Sequence, residues 1–253
     1  MKLVSKEKTL LLDRSHVMGI LNVTPDSFSD GGKFTHLDAA LKQAEKMVNS
    51  GVSFIDIGGE STRPGAPDVG LQQELDRVIP IIEAINQRFD TWISIDTSKA
   101  IVMDEAVNAG ADLINDVRAL QEPNALEIAA KANVPVCLMH MKGMPQTMQE
   151  QPDYASVVDD VADYLISRVN ECEAAGIDRA RVILDPGIGF GKTLSHNLAL
   201  LCHTERFKSL GFEVLIGLSR KTMIGDVLGR PVEDRLYGTM GANASAYLKG
   251  ARI

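Results

Sequence analysis

Several apolar stretches of this 253-residue chain end in side chains that can do chemistry. Asn22 closes the first stretch, Asp56 lies within the second and Asp96 closes the third. Asn115 and Asp116 end the fourth, His140 the fifth and Asp185 the sixth, and Ser219-Arg220-Lys221 follow the seventh. Taken singly, each could be a cap or turn residue, roles that Asp, Asn and Ser favour. His140 is read in that way, as a packed or capping histidine with no catalytic part. As a set, at equivalent points of successive units, they describe one polar mouth. Asp96, Asn115 and Asp185 belong together in it. Two carboxylates would repel a phosphate, but a nitrogen-rich heterocycle presents ring N–H and amino donors that need acceptors. An Asn offers the same ring edge an acceptor and a donor. A buried donor left unpaired costs about 1–3 kcal/mol, so such a floor also discriminates. The other half of the mouth is cationic, with Arg63, Arg220 and Lys221.

Two glycine-rich loops add to this. In Gly58-Gly59-Glu60-Ser61-Thr62-Arg63-Pro64-Gly65, the glycines permit close backbone approach, while Thr62 and Arg63 present a hydroxyl and a forked cation suited to phosphate oxygens. A solvated surface Arg is the plainer alternative, but the following Pro64 restricts the Arg63 backbone and favours a positioned side chain. The segment Asp185-Pro-Gly-Ile-Gly-Phe-Gly-Lys192-Thr193 ends like a nucleotide P-loop, yet Pro186 stands where the first glycine belongs. It also misses the dinucleotide fingerprint, because Lys192 takes the place of the last glycine. Its glycines fit a loop folded tightly over a bound ring, with Phe190 as a flat apolar face.

The elements that must carry these residues repeat one pattern: a short apolar run, a polar turn and an amphipathic helix. The runs are 17–22, 54–59, 92–96, 113–117, 135–140, 181–186 and 213–219. They are rich in Val, Ile and Leu with little alternation, as in parallel strands buried on both faces. Helical spacing links Leu71, Leu75, Val78, Ile82 and Ile85, and again Val158, Val161, Leu165, Val169 and Cys172, with Gly176 placed as a C-cap. The opening KLVSKEKTLLLD predicts a small hairpin, and Gly238–Lys249 a helix. The expectation is an α/β chain forming a single domain over 1–253, a TIM (β/α)8 barrel with a short N-terminal β-hairpin. Its eighth strand, begun at Ala251–Ile253, and its last helix read as truncated.

Composition limits the function. A hydrophobic share of 45% with 24% charged residues allows a large core. A net charge of −8 offers no basic field for nucleic acid, so any anionic substrate must be met locally. No stretch reaches the roughly 18 apolar residues of a membrane span, and the charged first residues form no signal peptide. Cys137, Cys172 and Cys202 are odd in number and widely spaced, and read as buried free thiols in a reducing cytoplasm.

The longer motifs are more specific. MGILNVTPDSFSDGG (18–32) and IDIGGESTRPGA (55–66) closely resemble the two signature segments of bacterial dihydropteroate synthases. SIDTSKA (94–100), INDVRAL (114–120), LMHMKGMPQTMQ (138–149), LDPGIGFGKTLSHN (184–197) and GLSRKTMIG (217–225) resemble the remaining blocks, in order. The resemblance implies a transferase joining 6-hydroxymethyl-7,8-dihydropterin diphosphate to 4-aminobenzoate in folate synthesis. It implies that Asp96, Asn115, Asp185 and Lys221 bind the pterin, that Thr62 and Arg63 hold the diphosphate, and that Asn22 ligates Mg²⁺. Phe28, Pro64, Phe190 and Ser219 would border the aminobenzoate, and Arg63, Lys221 and Asp185 would carry catalysis. Diphosphate would leave first, through a cationic pterin, before the aromatic amine attacks. The glycine-rich loops 23–36 and 60–70 would close to exclude water. The resemblance also implies a homodimer where the C-terminus is intact. Arg252 is not taken for the family's diphosphate-binding Arg, which lies further on. A pterin-binding methyltransferase barrel would share the acceptor floor but has no need of the Thr62-Arg63 and Ser219-Arg220-Lys221 groups. A catalytically impaired, truncated homologue is the third reading.

Overall fold

The computed structural model describes residues 2–23, 33–61, 68–143 and 152–253, with only the backbone of 33–35. The chain opens with the predicted hairpin, β1 (Lys2–Ser5) and β2 (Lys8–Leu11), paired antiparallel around a turn in which Lys6 has φ 52°. Seven strands then alternate with helices: β3 (Met18–Asn22), α1 (Lys33–Asn49), β4 (Phe54–Gly58), α2 (Leu71–Arg88), β5 (Trp92–Asp96), α3 (Ala100–Ala109), β6 (Leu113–Asp116), α4 (Ala125–Ala132), β7 (Val136–Met139), α5 (Val157–Ala174), β8 (Val182–Asp185), α6 (Leu194–Cys202), α7 (Thr204–Lys208), β9 (Glu213–Val214), α8 (Thr222–Leu228) and α9 (Leu236–Leu248). Each strand pairs in parallel with the next in sequence, so the sheet order is β3-β4-β5-β6-β7-β8-β9. This is the winding of a TIM-like barrel, here as seven parallel strands.

The predicted strand runs are found, with one shortened. The run 213–219 pairs with β8 only at Glu213 and Val214. Leu215 N–H still reaches Leu184 O at 3.0 Å, but β8 then turns away through Pro186, which has no N–H. Ile216 N–H donates instead to Ile253 O at 3.0 Å. Arg252 N–H donates to Val214 O at 3.0 Å, and His16 N–H to Arg252 O at 2.7 Å. The expected start of an eighth strand is therefore in place, bonded to the seventh strand on one side and to the lead-in of the first on the other. Higher on β3, Ile20 is 51% exposed, so the wall is open there.

Two cores set the polarity of the barrel. The larger fills the space between strands and helices, including Ile55, Ile57, Ile93, Ile95 and Val78. The smaller fills the barrel interior at the strands' N-terminal ends, where Phe54, Trp92, Leu113, Cys137 and Ile183 meet Leu3 and Leu12 from the hairpin segment. Phe54 and Trp92 pack edge to face with centroids 5.8 Å apart. The hairpin thus stoppers one end with apolar side chains, and the polar strand ends gather at the other. Cys137 and Cys172 are buried and free, as expected, but Cys202 is exposed at the end of α6.

Candidate active site

Strand register builds the site. Asn22, Gly58, Asp96, Asn115 and Cys137 occupy one row across β3 to β7. At Gly58 a Cβ would lie 3.4 Å from Asn22 Oδ1 and 3.5 Å from Asp96 Oδ2, so glycine keeps those two oxygens on either side of an open step. Backbone bonds finish the rim: Thr97 N–H to Asn115 O at 3.1 Å, and His140 N–H to Asp185 O at 3.0 Å. One layer below, Asp56 is 2% exposed on β4, and its Oδ2 accepts from Asn115 Nδ2 at 3.1 Å.

The electrostatics of this floor are unusual. Burial pushes the Asp56 carboxyl up to about 6, partly offset by Ser94 and Asn115. Asp96 is held well above the ordinary carboxylate value by burial and then by the charges of Asp56, Asp116, Glu74 and Glu60. Asp116 is also raised by burial, although it accepts from Ser98 Oγ at 2.5 Å, Arg118 N at 2.9 Å and Leu120 N at 2.7 Å. Asp185 is raised by burial against the opposing pull of Lys221, the Gly187 N–H and Lys192. Buried carboxylates with too few cations are arranged to receive donors.

The β8–α6 loop closes one side. Its shape depends on Gly187 (φ 67°), where a Cβ would come within 1.9 Å of His140 O. Lys192 is 3% exposed, and its ammonium meets Gly187 O at 2.8 Å, Phe190 O at 2.9 Å, His140 O at 3.2 Å and His140 Nδ1 at 2.9 Å. Burial lowers Lys192 to about 7 and His140 to about 3. His140 is thus a packed residue, its ring edge-on to Tyr164. The Thr193 hydroxyl caps α6 by accepting from His196 N at 3.2 Å. The Gly-Lys-Thr triplet is spent on internal structure, and the P-loop reading falls. Lys221 Nζ lies 4.6 Å from the Phe190 ring centroid and donates to Ile188 O. Burial lowers its amine to about 8, with Asp185 pulling the other way.

The base of the loop after β4 is also tied down. Arg77 donates to Gly59 O at 2.6 Å, Lys99 pairs with Glu60 and, at 2.5 Å, with Glu74, and Val69 N–H reaches Glu60 Oε1 at 3.5 Å. A cavity of about 550 Å³ opens here, bounded by Glu60, Lys99 and Arg118, and touches the floor at Asp96.

Residues 18–253 match the family of pterin-binding enzymes. A dihydropteroate synthase from Haemophilus influenzae is 56% identical over 253 residues, 100% of this chain and 92% of its own length. The chain belongs to the dihydropteroate synthase family. The structure of the Yersinia pestis dihydropteroate synthase with a sulfonamide drug superposes with a TM-score of 0.95 at 51% identity, covering 100% of this chain and 92% of that one. The Xanthomonas albilineans enzyme in complex with 7,8-dihydropteroate gives 0.91 at 44% identity, covering 100% and 91%. As a dihydropteroate synthase, this enzyme condenses 6-hydroxymethyl-7,8-dihydropterin diphosphate with 4-aminobenzoate, giving 7,8-dihydropteroate and diphosphate in folate biosynthesis.

Among the expected synthase residues, Asn22, Asp96, Asn115 and Asp185 converge on the mouth, with Lys221 and Phe190 stacked beside them. Ser219 is exposed on the turn before Lys221. Phe28, Thr62, Arg63 and Pro64 lie outside the described residues, as do parts of both expected closing loops. Sequence reasoning noted Asp56 without giving it a role and did not foresee Lys192 as a buried cation. A charged residue inside an otherwise apolar run was the available signal for the first.

Proposed function

We propose that the carboxylate floor is the pterin subsite of this synthase, with Asp96, Asn115, Asp185 and Lys221 as its recognition residues. The carrying observation is three carboxylates at one mouth, Asp56, Asp96 and Asp185, all raised above their ordinary values, with Asp56 bonded to the Asn115 amide. Such a floor favours a ligand edge of N–H donors and also a cationic pterin once diphosphate has left. Thr62 and Arg63, on the loop anchored through Glu60, hold the diphosphate and take up its developing charge, and Lys221 adds a second cation. Phe28, Pro64, Phe190 and Ser219 frame 4-aminobenzoate, whose amine attacks the exocyclic carbon. No protein nucleophile is needed.

The Asn22 carboxamide oxygen, facing the open step at Gly58, fits Mg²⁺. It is a hard neutral donor, and Mg²⁺ commonly keeps waters and substrate phosphate oxygens as its other ligands. When bound, the ion neutralises charge on the diphosphate. The free thiols support a cytoplasmic setting, and exposed Leu236, Tyr237, Met240 and Leu248 on α9 support a homodimer. Purified protein given the pterin diphosphate and Mg²⁺ should release diphosphate only when 4-aminobenzoate is present. Equal release without the amine would mean hydrolysis and would sink this reading. Sedimentation at micromolar concentration tests the dimer.

A further inference from the structure

The recognition scheme gives no ligand contact to Asp56, a carboxylate of the floor. Asp56 sits in the middle of β4, in register with Ile20 and Ser94, and is 2% exposed. Its Oδ2 accepts from Asn115 Nδ2 at 3.1 Å, a bond from β4 to β6 that passes over the intervening β5. Its Oδ1 and the Ser94 hydroxyl are buried without a hydrogen bond of normal geometry among the described residues. A buried carboxylate with a single good partner is poor design for stability. An apolar residue of similar size would often leave the fold as stable or more so. Its retention needs a local reason.

The reason lies in the two ends of an amide. An Asn side chain can present either its oxygen or its NH₂ to a ligand, and the ends are nearly identical in shape. A carboxylate has no proton to give, so the end of Asn115 that meets ionised Asp56 must be the NH₂. The Asn115 oxygen is then turned toward the mouth. A ring edge carrying N–H and amino donors needs an acceptor there, and the flipped amide would set donor against donor. Asp56 is ionised above neutrality, since its carboxyl stands at about 6.

We infer that Asp56 is a positioning residue for heterocycle recognition, fixing the Asn115 amide so that its oxygen faces the ligand. The inference rests on the assignment of Asn115 to the pterin subsite. It places selectivity one layer below the residues that touch the ring.

A double-mutant cycle read by calorimetry with 6-hydroxymethylpterin, which carries no diphosphate, tests it. Asp56→Leu, close in volume but with no acceptor, should weaken pterin binding about 30-fold while leaving the KM for 4-aminobenzoate within about twofold. Asp56→Asn offers Asn115 an oxygen and an NH₂ alike, so it no longer dictates which end of the amide faces the ligand and should recover binding only in part, to about tenfold below the parent. In an Asn115→Ala background, Asp56→Leu should cost less than about twofold more, because the amide it orients is gone. Equal losses in the two backgrounds, or no loss from Asp56→Leu in the parent, would overturn the inference. Where leucine does not fold, Asp56→Ala goes through the same cycle. If Asn115→Ala alone binds the pterin like the parent, the subsite assignment fails instead, a separate outcome.

Discussion

The two ends of the barrel treat buried charge in opposite ways. At the hairpin end, Asp112 is 1% exposed and accepts from Lys8 Nζ at 2.7 Å, Ile93 N at 3.1 Å and Ser5 Oγ at 3.4 Å. Lys8 also donates to Thr91 O at 2.9 Å, and Lys6 to Val107 O at 2.7 Å. Lys8 thereby stitches the hairpin to the segments just before β5 and β6, and Lys6 stitches it to the end of α3. At the mouth, burial raises the carboxyls of Asp56, Asp96 and Asp185, and Asp96 is raised further by the charges of its acidic neighbours. The first arrangement stabilises; the second costs stability and holds acceptors ready for a ligand. That division follows the general rule for such barrels, with function at the strands' C-terminal ends and stability at the other.

The contrast can be broken by four measurements. Asp185→Asn replaces an acceptor with a group that also donates, and should weaken pterin binding about 100-fold, roughly 2.7 kcal/mol. The variant's melting temperature should hold or rise, because a carboxyl whose charge burial disfavours is gone and an amide oxygen can still accept from the Gly187 N–H. Unchanged binding would remove Asp185 from the floor.

Next in size is a pH effect at Asp56. The folded carboxyl keeps its proton up to about pH 6, against an ordinary value of 3.8. Between those values the native state binds more protons than the unfolded one, so this group's contribution to stability falls as pH rises from about 4 to 6. Asp56→Asn lacks the effect. Its stability relative to the parent should therefore grow by about 2 kcal/mol over that range and level off above it. A flat difference in urea melts from pH 4 to 7 would contradict the raised carboxyl.

At the other end, Asp112→Ala strands Lys8 and the Ile93 N–H and should cost about 1.5 kcal/mol of folding stability. The value is kept modest because the Lys8 side chain, 30% exposed, regains water. Its kcat/KM should match the parent's, and a loss of activity in the folded variant would blur the division. The smallest effect concerns the thiols. A maleimide should label Cys202 in the native enzyme but neither Cys137 nor Cys172, and activity should survive labelling.

Much of this was legible because the strands are buried on both faces. Runs such as FIDIG and VCLM leave no other use for so many branched apolar residues. The row of strand ends was legible too, since equivalent points of successive units must converge in a barrel. Three things were not. The run 213–219 reads as a long strand, yet its pairing depends on where β8 ends at Pro186. The Asp56–Asn115 bond joins residues 59 apart on strands that are not neighbours, and only register reveals it. Lys192 looks like a solvated loop lysine until three carbonyls of its own surroundings fold around it. The first two depend on contacts distant in sequence, and the third on a loop that folds Lys192 back onto Gly187 and Phe190 as well as across to His140, none of which local pattern encodes.

The caged ammonium of Lys192 has a consequence for how fast and how tightly a ligand can settle. Ordering a flexible loop on binding would cost about 1–2 kcal/mol per residue in backbone entropy. The loop that carries Phe190 is already held from within, by the Lys192 amine on Gly187 O and Phe190 O and by the Gly189 N–H on Asn197 Oδ1 at 2.7 Å, so a ring arriving against it meets a finished wall. Association on this side of the mouth should follow one kinetic phase, linear in ligand concentration, with no slow rearrangement after the encounter.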